Sequence, residues 1–124
     1  IGPITIAHVF MAHARARRML RHAGLPAVVY ARRSLPDASD AHAYRITNAA
    51  HRFRAAAPLV CREGECLVNS LALLLYLGRD ARAVSWVFGV KAMPFAAHCW
   101  VQAGDRLLNE TLDGASGYTP IMVA

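Results

Sequence analysis

The chain has little that would let it cross a membrane, assemble a metal centre or hold a nucleotide. Its longest apolar run, Leu71 to Leu77, is seven residues, well short of the ~20 a membrane span needs. No secretory signal pattern is visible. There is no internal repeat, no low-complexity segment and no Gly-rich phosphate loop carrying a lysine, so no nucleotide is placed on this chain. His8, His13, His22, His42 and His51 lie in the arginine-rich half; His8 and His42 lack paired ligands at metal spacing, and no metal site and no bound cofactor is expected. Three cysteines are too few, and odd in number, for a disulfide framework; reduced thiols in a cytoplasmic setting fit better, although one bridge between Cys61 and Cys66 stays compatible with the sequence. The first residue is Ile1 rather than Met, and the chain is expected to be an excised or processed piece lacking an N-terminal neighbour.

What is present suits one domain, residues 1–124, with one core. Hydrophobic residues make up 56% of it, which excludes a disordered chain. The net charge of +6 is lopsided. Residues 1–59 carry nine arginines against Asp37 and Asp40, giving +7, and residues 60–124 carry five basic against six acidic residues, giving −1. The basic half suits an acidic peptide, an acidic partner domain or plain solvent. Arg15, Arg17, Arg18 and Arg21 fall on two helix faces with no interleaved aromatic, which argues against nucleic acid.

The pattern predicts a helix over 4–22, started by Pro3 and stopped by Gly24 and Pro26, with Phe10, Met11, Ala14 and Leu20 as its buried stripe. Val28 to Tyr30 is too short to assign as helix or strand, and residues 32–36 read as a linker. A second helix is expected from Ser39 or Asp40, either of which could cap it, to Ala57, with Tyr44, Ile46, Ala49, Ala50 and Phe53 on its apolar face. A third, central helix runs from Glu65 or Cys66 to Leu77 and ends at Gly78. The period then changes from 3.6 to 2. Strands are expected over 84–90, 97–102 and 106–110, the last two joined by a hairpin at Gly104-Asp105, with a loop over 113–117 and an edge strand over 121–123. Helices followed by an antiparallel sheet make an α+β fold.

Cys66 opens the third helix, where free backbone N–H groups and the helix dipole favour a thiolate. His98 sits on a strand 32 positions later, sharing a face with Trp100 and Gln102, and Cys99 and Val101 face the other way into the core. A thiol and an imidazole so delivered suit nucleophilic acyl chemistry. Cys61, in a loop without a helix field, is a poorer nucleophile. The Cys66 backbone N–H is a natural oxyanion donor, and Trp100 could wall the cleft. The base needs an orienting group, for which the returning strand offers Asn109, Glu110 and Thr111. A three-residue loop would set Glu110 opposite His98; a two-residue loop would set Thr111 there unless a β-bulge intervened.

Taken together, Cys66-Leu-Val-Asn-Ser-Leu-Ala-Leu73, Phe88-Gly-Val90, Pro94-Phe95, Ala97-His-Cys-Trp-Val101 and Asn109-Glu110 resemble the lasso-peptide leader peptidase family, closest to the microcin-type maturation proteases. The likeness covers about residues 38–124, leaving 1–37 as an N-terminal helix and linker, and Tyr118-Thr-Pro-Ile121 also looks like the tail of those members. It implies a transglutaminase-like, papain-like cysteine peptidase core with Cys66 as nucleophile, His98 as base and Glu110 where the family usually has Asp. Phe95 and Trp100 would line the substrate site. Cys99 stands where a small residue is common, with little functional consequence expected. The implied partners are a precursor leader peptide, a precursor-recognition domain and a macrolactam cyclase, the cyclase being the ATP user. Two other readings stay open: another acyl-transfer enzyme of the same fold, and a noncatalytic basic domain binding peptide or nucleic acid.

Overall fold

A computed structural model describes residues 2–35 and 43–124. Among them the chain forms α1 (Pro3–His22), α2 (Leu25–Arg33), α3 (Ala43–Ala56), α4 (Cys66–Leu77), β1 (Ser85–Ala92), β2 (Phe95–Ala103), β3 (Arg106–Leu107), α5 (Leu112–Ser116) and β4 (Thr119–Val123). The strands make one antiparallel sheet in the order β3-β2-β1-β4. The α+β class expected from the change of period is what forms. The cap expected at Ser39 or Asp40 lies outside the described residues.

α4 is the centre of the molecule, packing on α1 and α3 and against β2. Its Ser70, Leu71, Ala72, Leu73, Leu74 and Leu77 are all buried, as a helix without a polar face should be. The inward side chains of β1 and β2, Trp86, Cys99 and Val101, join Val9, Ala16, Phe53 and Leu73 in one core. α1 therefore belongs to the same core as residues 43–124. The opposite sheet face carries a smaller cluster of Val87, Trp100, Ala115, Leu107 and Tyr118.

Several elements differ from expectation for identifiable reasons. α1 buries Val9, Ala12, His13 and Ala16, whereas Phe10 and Met11 are 55% and 59% exposed. Small side chains let this helix lie close to its neighbours, so the inward stripe follows size rather than hydrophobicity. Tyr44 is likewise exposed on α3, and Ala56 is buried in its place. Val28 and Val29 lie in α2, which continues through Arg32 and Arg33; Arg32 docks it by donating to Ala81 O (3.0 Å) and Val84 O (2.6 Å). The loop expected over 113–117 contains α5, started by Thr111, whose side chain accepts from Gly114 N. The strand expected over 106–110 ends at Leu107.

The start of α4 is fastened from a distance. Arg17 on α1 donates from Nε and Nη2 to the two Glu65 oxygens (3.0 and 2.7 Å) and from Nη2 to Val60 O (3.2 Å). Glu65 Oε1 also accepts from Arg62 N at 3.0 Å. Arg17 thereby holds the Glu65 carboxyl down to about 2, against a burial penalty, with the Arg62 N–H assisting. A folded value below the unfolded one means the pair stabilises the fold above about pH 4.5 and stops doing so as pH falls toward about 2. Arg17→Ala is expected to cost about 1–3 kcal/mol near pH 7. In urea unfolding across that acid range, its deficit relative to wild type should shrink. A deficit that does not change with pH would attribute the loss to packing instead.

Candidate active site

Cys66 is the first residue of α4 and is half-buried. Gly64, at φ +80°, turns the chain into the helix, a conformation other residues rarely adopt. Asn69 N already donates to Glu65 O (2.8 Å), closing the first helical turn over the cysteine. The thiol meets the sheet at β2. Cys99 Sγ lies 4.0 Å from Cys66 Sγ and donates to it.

The geometry of β2 explains why this edge is free. β2 and β3 pair only at Ala103 with Arg106 and Gln102 with Leu107, the register of a two-residue loop. Leu108 N still reaches Val101 O (2.9 Å). The ladder then stops, because Val101 N donates to the Asn109 side chain, Oδ1, at 2.8 Å rather than to a strand carbonyl. In a strand, residues two apart aim their N–H groups at the same edge. The Cys99 N–H therefore points the same way as that of Val101, and it donates to Cys66 sulfur.

Ending the strand also resolves the register question. A continued two-residue-loop ladder would have placed Glu110 on the wrong face. By leaving the ladder at Asn109, the chain brings Glu110 onto His98, with Oε2 bonded to Nε2. Both side chains are largely enclosed, at 18% and 21% exposure. Nε2 is thereby occupied, so Nδ1 is the ring nitrogen that remains for the interaction of His98 with Cys66. Glu110 Oε1 is held by Thr111 N at 2.8 Å. Thr111 itself caps α5.

The charges follow from these contacts. Cys66 is drawn down to about 5, first by the Cys99 thiol, then by His98 and the Cys99 backbone N–H, which together outweigh burial. Cys99 moves the opposite way, held protonated by the neighbouring thiolate and by burial. Burial pulls His98 down, but Glu110 and Cys66 more than offset it and the net shift is upward. The pair is thus set as thiolate and imidazolium. Cys61 is the contrast: burial and the Glu65 charge push its thiol up, which suits an inert residue. Cys99 was expected to be core without consequence. It is buried at 4% exposure, yet it is also the strongest influence on Cys66. Ser70 holds it from behind, with Oγ 3.3 Å from Cys99 Sγ while accepting from Trp86 Nε1 at 2.9 Å.

A buried polar chain runs from α1 to this site. His13, fully buried, bonds through Nδ1 to Val9 O (2.8 Å), so Nε2 accepts from Asn69 Nδ2 (3.3 Å). Asn69 Oδ1 accepts from Asn109 Nδ2 (2.8 Å). Burial lowers His13, keeping it neutral as this arrangement requires. None of these roles was assigned from the sequence, although Asn69 stands one helical turn after Cys66 and so shares its face. Asn109, expected among the possible orienters of His98, holds the sheet edge instead. Trp100, expected to wall the cleft, is 3% exposed and supports His98 from beneath, their rings 5.8 Å apart. Tyr118 flanks the imidazole at 5.3 Å. Phe95 is 75% exposed at the far end of β2, open to a ligand. Among the described residues no group of three or more His, Cys, Asp or Glu could hold a metal ion, and no helix is long and apolar enough to cross a membrane.

A thiolate at a helix start, an imidazole on a strand and a carboxylate behind it define a site able to attack a carbonyl and hold the acyl group as a thioester. The chain belongs to the Transglutaminase-like superfamily, whose family model matches residues 7–123. Among curated proteins and among solved structures, none is a significant match. The family match takes in most of α1, and so begins well before residue 38.

Alkylation by iodoacetamide, followed by peptide mass mapping across pH, should label Cys66 with a midpoint near 5 and leave Cys61 slow below about pH 8. Cys99→Ala should raise the Cys66 midpoint. A wild-type midpoint in the ordinary thiol range would refute the ion-pair description.

Proposed function

We propose that the protein is a cysteine peptidase that removes the leader from a ribosomally made lasso-peptide precursor in the cytoplasm. The observation that carries the acyl chemistry is the ordered set Cys66–His98–Glu110. The finer assignment is supported by the block from Cys66 to Leu73 and by His98 and Trp100 in their strand, which resemble leader peptidases of that kind. In this reading Cys66 S⁻ attacks the carbonyl at the leader's end, and the backbone N–H of Cys66 faces the developing oxyanion. His98 gives its proton to the departing amine of the core peptide. It then takes a proton from water, which hydrolyses the thioester and releases the leader with a free carboxylate. Glu110 keeps the ring aligned through both transfers. Phe95, exposed at the end of β2, is a contact for the peptide.

The partners in this reading are the precursor leader, a precursor-recognition domain and a macrolactam cyclase that uses the ATP. Part of the positive charge is used internally, since Arg17 pairs with Glu65, Arg45 with Asp80, and Arg32 caps two carbonyls. Arg15, Arg18, Arg21, Arg33 and Arg54 remain exposed and would face an acidic partner. The second reading, acyl transfer to an amine, uses the same thioester.

Incubating the chain and an added recognition domain with a synthetic precursor, and weighing the products, separates these readings. Hydrolysis leaves the leader with a free carboxylate, whereas transfer leaves it joined to the amine. Cys66→Ala should lower cleavage at least about 1,000-fold with melting unchanged. His98→Ala should lose rate with little loss of binding, Glu110→Gln less than His98→Ala, and Cys61→Ala almost nothing. Cleavage by Cys66→Ala at the wild-type rate would sink the assignment. Cleavage as efficient without the recognition domain would remove that partner from the account.

A further inference from the structure

Glu110 reaches His98 across ground that a side chain at position 114 would occupy. Gly114 lies in α5, four residues after Glu110, with an ordinary helical backbone: its φ is not positive, so conformation does not demand glycine. Space does. A Cβ on Gly114 would overlap Glu110 Oε1, sit 2.8 Å from Glu110 Cδ and lie 3.0 Å from Thr111 Oγ1. Real Cβ atoms do not tolerate such contacts. The atoms in the way are the end of a flexible side chain, so the carboxylate would move before the backbone did. Gly117, three residues on in the same turn, has nothing within 4 Å of its would-be Cβ. The need for a bare position in this segment is thus local to the carboxylate.

We infer that Gly114 is a positioning residue: the absence of a side chain there seats the Glu110 carboxylate between Thr111 N and His98 Nε2. This rests on the reading of Cys66, His98 and Glu110 as the working set. The two carboxylate oxygens have separate tasks, Oε1 on Thr111 N and Oε2 on His98. Oε1 is the oxygen a Cβ would strike, so the first consequence of filling the space is to rotate or push the carboxylate off this pair of donors. Asn109 fixes where the segment leaves the sheet, and Gly114 fixes where its acid comes to rest.

The test is the titration of the His98 imidazole by NMR in the substrate-free protein, alongside thermal melting. Gly114→Ala should move the His98 midpoint downward, most of the way to its position in Glu110→Gln, because the same partner is lost. Gly117→Ala should leave it at the wild-type position. In the leader cleavage assay Gly114→Ala should lower kcat about 10- to 100-fold with KM little changed. A folded Gly114→Ala protein whose His98 titrates as wild type overturns the inference. So does a Glu110→Gln protein in which His98 does not move. If Gly114→Ala melts too low to titrate, the same substitution is made in a Glu110→Ala background. Recovery of melting there supports the overlap with Glu110, and an equal loss in both backgrounds overturns it. The titration needs no peptide, so a failure of the leader reading shows as absent cleavage by the wild type while His98 still decides the role of Gly114.

Discussion

The early end of β3 is the constraint on which the site depends. An antiparallel partner of ordinary length would take the outward N–H groups of β2 at Cys99 and Val101. Here the partner supplies two ladder residues and leaves. Val101 N is satisfied by the Asn109 side chain, and Cys99 N by the sulfur of Cys66. A buried N–H without a partner is costly, so giving the Cys99 N–H to a thiolate serves both groups. The sheet edge is paired, and the negative charge gains a fixed donor.

That economy works only if α4 and β2 keep their alignment. Arg17 holds the entry to α4 through Glu65, and the His13–Asn69–Asn109 chain ties α1, α4 and the end of the sheet together. Such a chain is specific because each member's donor and acceptor are used in one sense. His13 donates its Nδ1–H to Val9 O, so Asn69 must present its amide nitrogen to His13 and its oxygen to Asn109. Protonating His13 would set two donors against each other. Burial, which keeps that ring neutral, keeps the chain in register. The family match, beginning at residue 7, covers His13 and Arg17, the α1 residues that make these contacts.

The sequence made some of this legible and hid the rest. Cys66 and His98 stood out because the change of period placed one at a helix start and the other on a strand. The bounds of α4 follow from an apolar run between Gly64 and Gly78. The inward stripe of α1 is hidden in the sequence because Phe10 and Met11 outweigh Ala12 and Ala16 in hydrophobicity, whereas close helix packing selects small side chains. The third strand was expected to continue because nothing in Leu108-Asn109-Glu110 announces a stop; the stop comes from a side chain substituting for a backbone carbonyl. Cys99 was correctly turned inward by alternation, but only tertiary packing reveals that the core on that side contains the Cys66 sulfur. Asn69, His13 and Gly114 act through contacts between separate elements or through empty space, neither of which leaves a periodic trace.

The central claim is that the free edge of β2 holds the Cys66 thiolate through the Cys99 N–H. Following the Cys99 amide in a ¹H–¹⁵N correlation spectrum while pH is raised through the Cys66 midpoint, near 5, tests it most directly. The account predicts a downfield move of the amide proton with the same midpoint as the thiol, absent in Cys66→Ala. A Cys99 amide that does not respond to ionisation of Cys66 would contradict it.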